Sequence, residues 1–260
     1  MTLPFHNQTV LITGAGQGIG FAIARTLVRQ GANVVLNDFD DTLTLQAVEA
    51  IRQDRETEQA GTCIACAGDA SDVTFIDNMV KTAVDTFGSV DIAIANAGIT
   101  IFGDIFTTTP EAFQKIVNLN LRGSFFLAQT VAKQMREQGR GGSVLFMSSV
   151  VGHQAHPGLP VYSMTKAGLE MLAKQLVIDF SPLGITVNAV APGATQTERT
   201  LDDPSYVPIW SRITPMGRPA TVDDITNAAL FLIAPASRHI TGQSLVVDGG
   251  WTSVSPPPVG

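Results

Sequence analysis

Seven short apolar runs alternate along this 260-residue chain with longer segments of helical period, and that alternation limits the fold more than any other feature. The runs are Thr9 to Thr13, Asn33 to Asn37, Thr62 to Ala67, Asp91 to Ala95, Ser143 to Met147, Ile185 to Val190 and Ser244 to Val247. Each has strand length. Between them Ile19 to Arg29, Leu43 to Arg55, Val73 to Phe87, Pro110 to Glu137, Tyr162 to Phe180 and Val222 to Ile233 carry the length and apolar spacing of helices. Strands separated by helices run parallel, and continuously apolar strands need cover on both sides. The pattern therefore predicts an α/β fold, a doubly wound seven-stranded parallel sheet with helices on both faces, in a single domain over residues 1–260. A charged fraction of 15% suits such a sheet, because soluble domains usually reach ~25%.

Helix starts carry local marks. Thr108-x-x-Glu111 and Thr221-x-x-Asp224 read as capping boxes, and Pro110 suits a first helical turn. The segment from Ala191 to Pro219 is rich in Pro, Thr and Gly, contains Tyr206, Ile209 and Trp210, and is too long for an ordinary connection. It predicts a lid over a binding site at about residues 194–216. The tail from Ser255 to Gly260, with three prolines, is expected to be extended or frayed.

A net charge of −7 without a basic run argues against nucleic acid, whose binding draws on clustered cations. No apolar run approaches the ~18 residues of a membrane span, and the first seven residues lack a basic start and apolar stretch. The expectation is a cytoplasmic chain with no membrane partner. The two cysteines, Cys63 and Cys66, have the spacing of a redox pair. In a strand, however, positions 63 and 66 point to opposite faces, which favours two small core residues.

The first strand runs directly into Thr13-Gly-Ala-Gly-Gln-Gly-Ile-Gly20 and then into a helix. Glycines let the backbone turn sharply and approach a ligand, while the helix start offers unpaired N–H groups and a positive dipole end to a pyrophosphate. The spacing is Gly14-x-x-x-Gly18-x-Gly20, not the G-x-G-x-x-G fingerprint, but its place between strand and helix points to a dinucleotide. The second strand ends at Asn37-Asp38, roughly twenty residues on, where a carboxylate accepts hydrogen bonds from an adenosine ribose and repels a 2′-phosphate. Neither Asn37 nor Phe39 is the Arg or Lys that a phosphorylated ribose would want. Asp38 thus favours NAD over NADP; its competing reading is a helix cap or solvated turn residue.

Tyr162 and Lys166 open a helix at i, i+4 and share one face. A free phenol has a pKa of about 10, and a nearby cation favours its phenolate form, so the pair can move a proton nearer neutrality. Upstream, Ser148-Ser149 ends a strand, whose alternation lets only one hydroxyl face the phenol.

Taken together, Thr13 to Gly20, Asp38, Asp69, Asn96-Ala97-Gly98, Asn120, Ser149, Tyr162, Lys166, Pro192-Gly193 and Thr197 resemble the short-chain dehydrogenase/reductase family, in its subfamily of roughly 250 residues. The resemblance covers almost the whole chain and implies a single-domain Rossmann fold and an oxidoreductase. It implies Tyr162 as general acid/base, Ser149 as the hydroxyl holding the substrate oxygen, and Lys166 as the cation that lowers the phenol pKa and grips the nicotinamide ribose. Asn120 resembles the helix-bending residue that holds a water in the proton relay to Lys166. The resemblance also places Asp69 and Ala70 at the adenine, Asn96 near the adenosine ribose, and Thr195 and Thr197 at the carboxamide and phosphates. Backbone N–H groups near Gln17 and Ile19 would meet the pyrophosphate. One departure is visible: the family's usual paired asparagines read Ala95-Asn96 here.

His153, Gln154 and His156 follow Ser149 on a loop and offer polar groups to a polyhydroxy substrate, or are merely exposed. Two histidines at this spacing, with no third ligand in sight, make no metal site. Ile99, Thr100, Phe102 and Trp210 would add pocket walls. The leading expectation is an NAD-dependent dehydrogenase of a sugar, a polyol or a small hydroxyketone, with Gln154, His156 and Trp210 joining Ser149 and Tyr162 around the substrate. A 3-oxoacyl thioester reductase is the runner-up, and a non-enzymatic dinucleotide sensor the reading from another class. Pro110 to Glu137, Tyr162 to Phe180 and Leu245 to Gly250 resemble the family's subunit interfaces and imply a homotetramer.

Overall fold

The computed structural model describes residues 3–54 and 59–255. Met1, Thr2, Arg55 at the end of one expected helix, and most of the proline-rich tail lie outside the described residues. Seven strands, β1 (Thr9–Ile12), β2 (Asn33–Leu36), β3 (Cys63–Ala65), β4 (Ile92–Ala95), β5 (Gly142–Met147), β6 (Ile185–Pro192) and β7 (Ser244–Val247), fall on the seven apolar runs. They form one parallel sheet in the order β3-β2-β1-β4-β5-β6-β7, with register pairs such as Leu11 beside Val35 and Ala93. The chain first builds outward from β1 to β3 and then returns to add β4 on the other side of β1. That reversal opens a crevice at the carboxyl ends of β1 and β4.

The helices are α1 (Gly18–Arg29), α2 (Asp41–Gln53), α3 (Val73–Phe87), α4 (Pro110–Val117), α5 (Ser124–Gln138), α6 (Pro160–Phe180), α7 (Tyr206–Ile213) and α8 (Val222–Ile233). Strand alternation divides the core in two. Val10, Ile12, Val34, Leu36 and Ile94 pack beneath α1, α2 and α8, whereas Leu11, Val35, Ala93 and Phe146 pack beneath α3, α5 and α6. Both faces are therefore dry, and polar groups gather at the strand ends.

Three local expectations are corrected or refined. The segment from Pro110 to Glu137 is not one helix: a π-helical stretch, Asn118–Gly123, separates α4 from α5. Its apolar period runs through the break, so periodicity alone cannot reveal the extra residue. The cap of α4 is Thr109, whose hydroxyl accepts from the Ala112 N–H at 3.2 Å, and not Thr108, whose hydroxyl donates to the Asp104 carbonyl at 2.7 Å. Pro110 at the first helical position shifts the cap by one residue. The box at Thr221 and Asp224 forms as expected and opens α8.

Cys63 is buried against the first core and Cys66 packs against the second, on the opposite face. Burial pushes the Cys63 thiol up to about 12 and raises Cys66 as well, which leaves both poor nucleophiles. Among the described residues, no helix is long and apolar enough to cross a membrane.

Candidate active site

The crevice at the switch point widens into a cleft of about 1470 Å³. Its first wall is the glycine turn. Gly14 and Gly18 adopt φ of +61° and +64°, and a Cβ on Gly14 would lie 2.7 Å from the Ala97 Cα, so these positions need glycine. Gly20 lets α1 approach: a Cβ there would stand 2.5 Å from the Asn96 Nδ2 and 2.7 Å from the Gly14 carbonyl oxygen. Gln17 at the cap of α1 makes no side-chain capping bond and the first turn holds no acidic residue. The helix start therefore presents free N–H groups and its positive end to the cleft, as a pyrophosphate requires.

Asn37 and Asn96 hold this turn from behind. The Asn37 amide donates to the Cys66 and Gly68 carbonyls at 2.9 and 3.0 Å and accepts from the Gly14 N–H at 3.4 Å. The Asn96 amide donates to the Thr13 and Gly14 carbonyls at 3.0 and 2.7 Å, so its side chain supports the turn. Asp38 stands at the end of β2, with one carboxylate oxygen accepting from the Gly16 N–H at 3.0 Å and the other from the Phe39 N–H at 2.8 Å. Those bonds aim the carboxylate into the cleft. Asp69 and Ala70 follow β3 on the same wall; Ala97 and Gly98 follow β4, and Pro192, Gly193, Thr195 and Thr197 follow β6. Gln17, Ile19 and every other residue expected at the dinucleotide line this one cleft. The residues present thus fit a dinucleotide along its whole length.

The floor is formed by the end of β5 and the start of α6. Lys166 is 3% exposed, and its Nζ donates to the Met147 carbonyl at 2.6 Å. Burial lowers its pKa to about 8. The ammonium lies 5.4 Å from the Tyr162 ring centroid, over the face of the ring. Burial raises the Tyr162 phenol, while hydrogen bonding with the Thr100 and Ser149 side chains and the charge of Arg199 pull it back. The expectation that Lys166 lowers the phenol pKa is not what this geometry displays. The net direction is upward, because desolvation dominates. Besides its bond with Tyr162, the Ser149 hydroxyl makes only long 3.5 Å contacts, donating to the Pro192 carbonyl and accepting from the Val151 N–H, and it lines the cleft.

Asn120 is fully buried, inside the π-helical stretch. Its side chain accepts from the Ile99 N–H at 2.8 Å and donates to the Ile99 carbonyl at 3.0 Å and the Thr165 hydroxyl at 3.4 Å. It is bonded to the loop after β4, not to Lys166. Gly98 sits between them, since a Cβ there would be 3.4 Å from the Asn120 Oδ1 and 3.5 Å from the Lys166 Nζ.

Not every expected residue reaches the cleft. Ser149, Tyr162, Ile99, Thr100 and Phe102 line it, but Gln154, His156 and Trp210 do not. His156 and Trp210 instead flank Trp251, with ring centroids 6.2 and 5.1 Å away, joining α7 to the C-terminal turn. Trp251 also packs beside Tyr162 against Val150, Val151 and Leu159. Sequence reasoning missed Trp251 and Arg199 and named Tyr206 only as part of the expected lid. Tyr206 lines the cleft and donates to the Thr195 carbonyl at 3.1 Å. Among the described residues, no three His, Cys, Asp or Glu side chains gather as a metal site.

The family model described as enoyl-(acyl carrier protein) reductase matches residues 14–252. An L-rhamnose 1-dehydrogenase (NAD(P)(+)) of Azotobacter vinelandii is 38% identical over 251 residues, covering 94% of this chain and 96% of that protein. An L-rhamnose-1-dehydrogenase of Scheffersomyces stipitis is 34% identical over 258 residues, covering 96% and 98%. A crystal structure of a short-chain type dehydrogenase/reductase from Mycobacterium marinum superposes with a TM-score of 0.90 at 29% identity, covering 97% of this chain and 98% of that one. The chain belongs to the short-chain dehydrogenase/reductase family. It is an NAD(P)-dependent oxidoreductase with a Rossmann fold.

The buried Lys166 gives a test that needs no substrate. An unfolded lysine titrates near ~10.4, so between about 8 and that value the unfolded chain holds a proton that the folded chain has released. More protons on the unfolded state means that stability rises with pH across this window, and the cost of burying the charge is fully present below it. Urea unfolding of the unliganded protein should therefore show it gaining stability relative to Lys166→Met between pH 8 and 10. A difference that stays flat with pH would contradict the burial of this charge.

Proposed function

We propose that this chain is an NAD-dependent dehydrogenase of a sugar or polyol, moving hydride between a secondary alcohol carbon and the nicotinamide. The observation that carries the reading is the meeting of the Tyr162 phenol with the Ser149 hydroxyl on the floor of a cleft fitted to a dinucleotide. In oxidation Ser149 holds the substrate oxygen while Tyr162 removes its proton; in reduction Tyr162 returns it. The bound cofactor supplies the hydride acceptor or donor. Lys166, over the face of the phenol ring, keeps positive charge beside the proton-transfer group, and Asn120 positions the loop after β4 through Ile99.

The finer cofactor choice rests on Asp38. Its fixed carboxylate suits the two hydroxyls of an adenosine ribose and opposes a 2′-phosphate. The cations that line the cleft, Lys115, Lys166 and Arg199, stand on other elements. The sugar reading is supported by the two relatives named as rhamnose dehydrogenases and by a mixed wall of Thr100, Arg199 and Tyr206 with Ile99 and Phe102. We read residues 194–216 as the substrate lid, since they hold α7 and the short helical turn at Glu198–Thr200, whose start lies beside the glycine turn. The Thr197 Cγ2 lies 3.6 Å from where a Gly18 Cβ would stand. We also read the protein as a cytoplasmic homotetramer. Phe113, Phe125, Met171 and Ile178 on α4, α5 and α6 are exposed, as are Phe231 on α8 and Val246 on β7, which would leave two apolar faces in water.

Three experiments test this reading. With L-rhamnose and a panel of polyols, NAD should support faster turnover than NADP, and Asp38→Ala should erase that preference. Tyr162→Phe should lower kcat by about 10²- to 10⁴-fold while NAD still binds; retained turnover would remove Tyr162 from the proton transfer. Sedimentation velocity at micromolar concentration should give a tetramer, and an active monomer would overturn the assembly.

A further inference from the structure

Glu170 stands one helical turn beyond Lys166 on α6, and none of the roles above uses it. Its Oε1 accepts the Ser148 hydroxyl at 2.9 Å and faces the His153 Nδ1 at 3.2 Å. The same Ser148 hydroxyl reaches the Lys166 carbonyl at 3.0 Å. Ser148 is 3% exposed and directly precedes Ser149 at the end of β5. Three pieces of the site therefore meet at one carboxylate oxygen: the strand end carrying Ser149, the helix carrying Tyr162 and Lys166, and the loop that begins at Val150.

The close approach has its own local requirement at Gly152. A Cβ there would lie 2.8 Å from the Glu170 Oε1 and 3.0 Å from the Lys166 carbonyl carbon, so glycine lets the loop lie on α6. On its other side His153, when protonated, acts on Asp248, whose carboxylate accepts from the Gly250 and Thr252 N–H groups and so holds the turn bearing Trp251.

Ser149 and Tyr162 come from different elements, so their separation is only as fixed as the packing of β5 on α6. A hydroxyl bond to an ionised carboxylate is about twice as strong as a neutral one. A misplacement of ~1 Å between reacting groups costs up to about 10²-fold in rate. We propose that Glu170 is a positioning residue that fixes Ser149 against Tyr162 through Ser148 and docks the loop after Ser149 through His153. The proposal rests on reading Ser149 and Tyr162 as the reacting pair.

The test combines steady-state kinetics with amide hydrogen exchange on the whole protein. Glu170→Ala should lower kcat about tenfold or more and speed exchange at Gly152, His153 and Gln154, whose N–H groups bond to the Ser149 and Val150 carbonyls. Glu170→Gln, which keeps an acceptor for the Ser148 hydroxyl, should recover most of kcat. Ser148→Ala should reproduce the loss in kcat and add little to it in the double variant with Glu170→Ala. His153→Ala should raise KM more than it lowers kcat. Glutamine no better than alanine at position 170, a normal kcat in Ser148→Ala, additive losses in the double variant, or unchanged loop exchange would each overturn the proposal. The exchange arm requires no turnover. Absence of alcohol oxidation by the unaltered protein would thus count against the reaction, while loop exchange reads the Glu170 linkage separately.

Discussion

Covering both faces of one parallel sheet is the constraint from which the rest of the structure follows. Strands β1, β4 and β5 are buried throughout, so their side chains can do nothing but pack. Chemistry is left to the strand ends, where the backbone leaves the sheet. The reversal of strand order at β1 and β4 keeps the outgoing loops from closing over one another there. The glycine turn after β1, Asp38 after β2, Asn96 after β4, Ser149 after β5 and Thr195 after β6 consequently face one cleft.

Within that cleft the controlling balance is between desolvation and hydrogen bonding. Lys166 is kept in the floor by the Met147 carbonyl, which compensates only partly for lost water, and its pKa falls to about 8. The Tyr162 phenol beside it is pushed the other way by the same burial, while Thr100, Ser149 and Arg199 oppose that push. A neutral phenol next to a loosely held proton on lysine is a site set to respond to charge. Added positive charge at the nicotinamide position favours phenolate, whereas the unliganded cleft favours phenol.

Much of this was legible from local chemistry. Apolar runs declared the strands, and glycines between a strand and a helix declared the turn that forms the first wall of the cleft. Asp38 was readable by its place at the end of β2, and Tyr162 and Lys166 by their helical spacing. What stayed hidden depends on contacts distant in sequence. The π-helical break needs the Asn120 amide to find the backbone of Ile99, twenty-one positions away. Trp251 reaches Trp210 only after the C-terminal turn folds back, and that packing draws His156 and Trp210 away from the cleft wall. Glu170 looks like any polar helix residue until Ser148 and His153 arrive from β5 and its loop. Arg199 lies in the segment between β6 and α7, whose sequence has no period to place it.

The central claim is that burial keeps Tyr162 protonated until cofactor charge enters the cleft. The chain has only two tyrosines, Tyr162 and Tyr206, so ultraviolet titration of tyrosinate in a Tyr206→Phe background reads Tyr162 alone. Without cofactor the phenolate step should lie above the ordinary tyrosine value, and saturating NAD in its oxidised form should move it down. A step that stays in place on adding NAD, or that already lies below the ordinary value without it, would contradict the account.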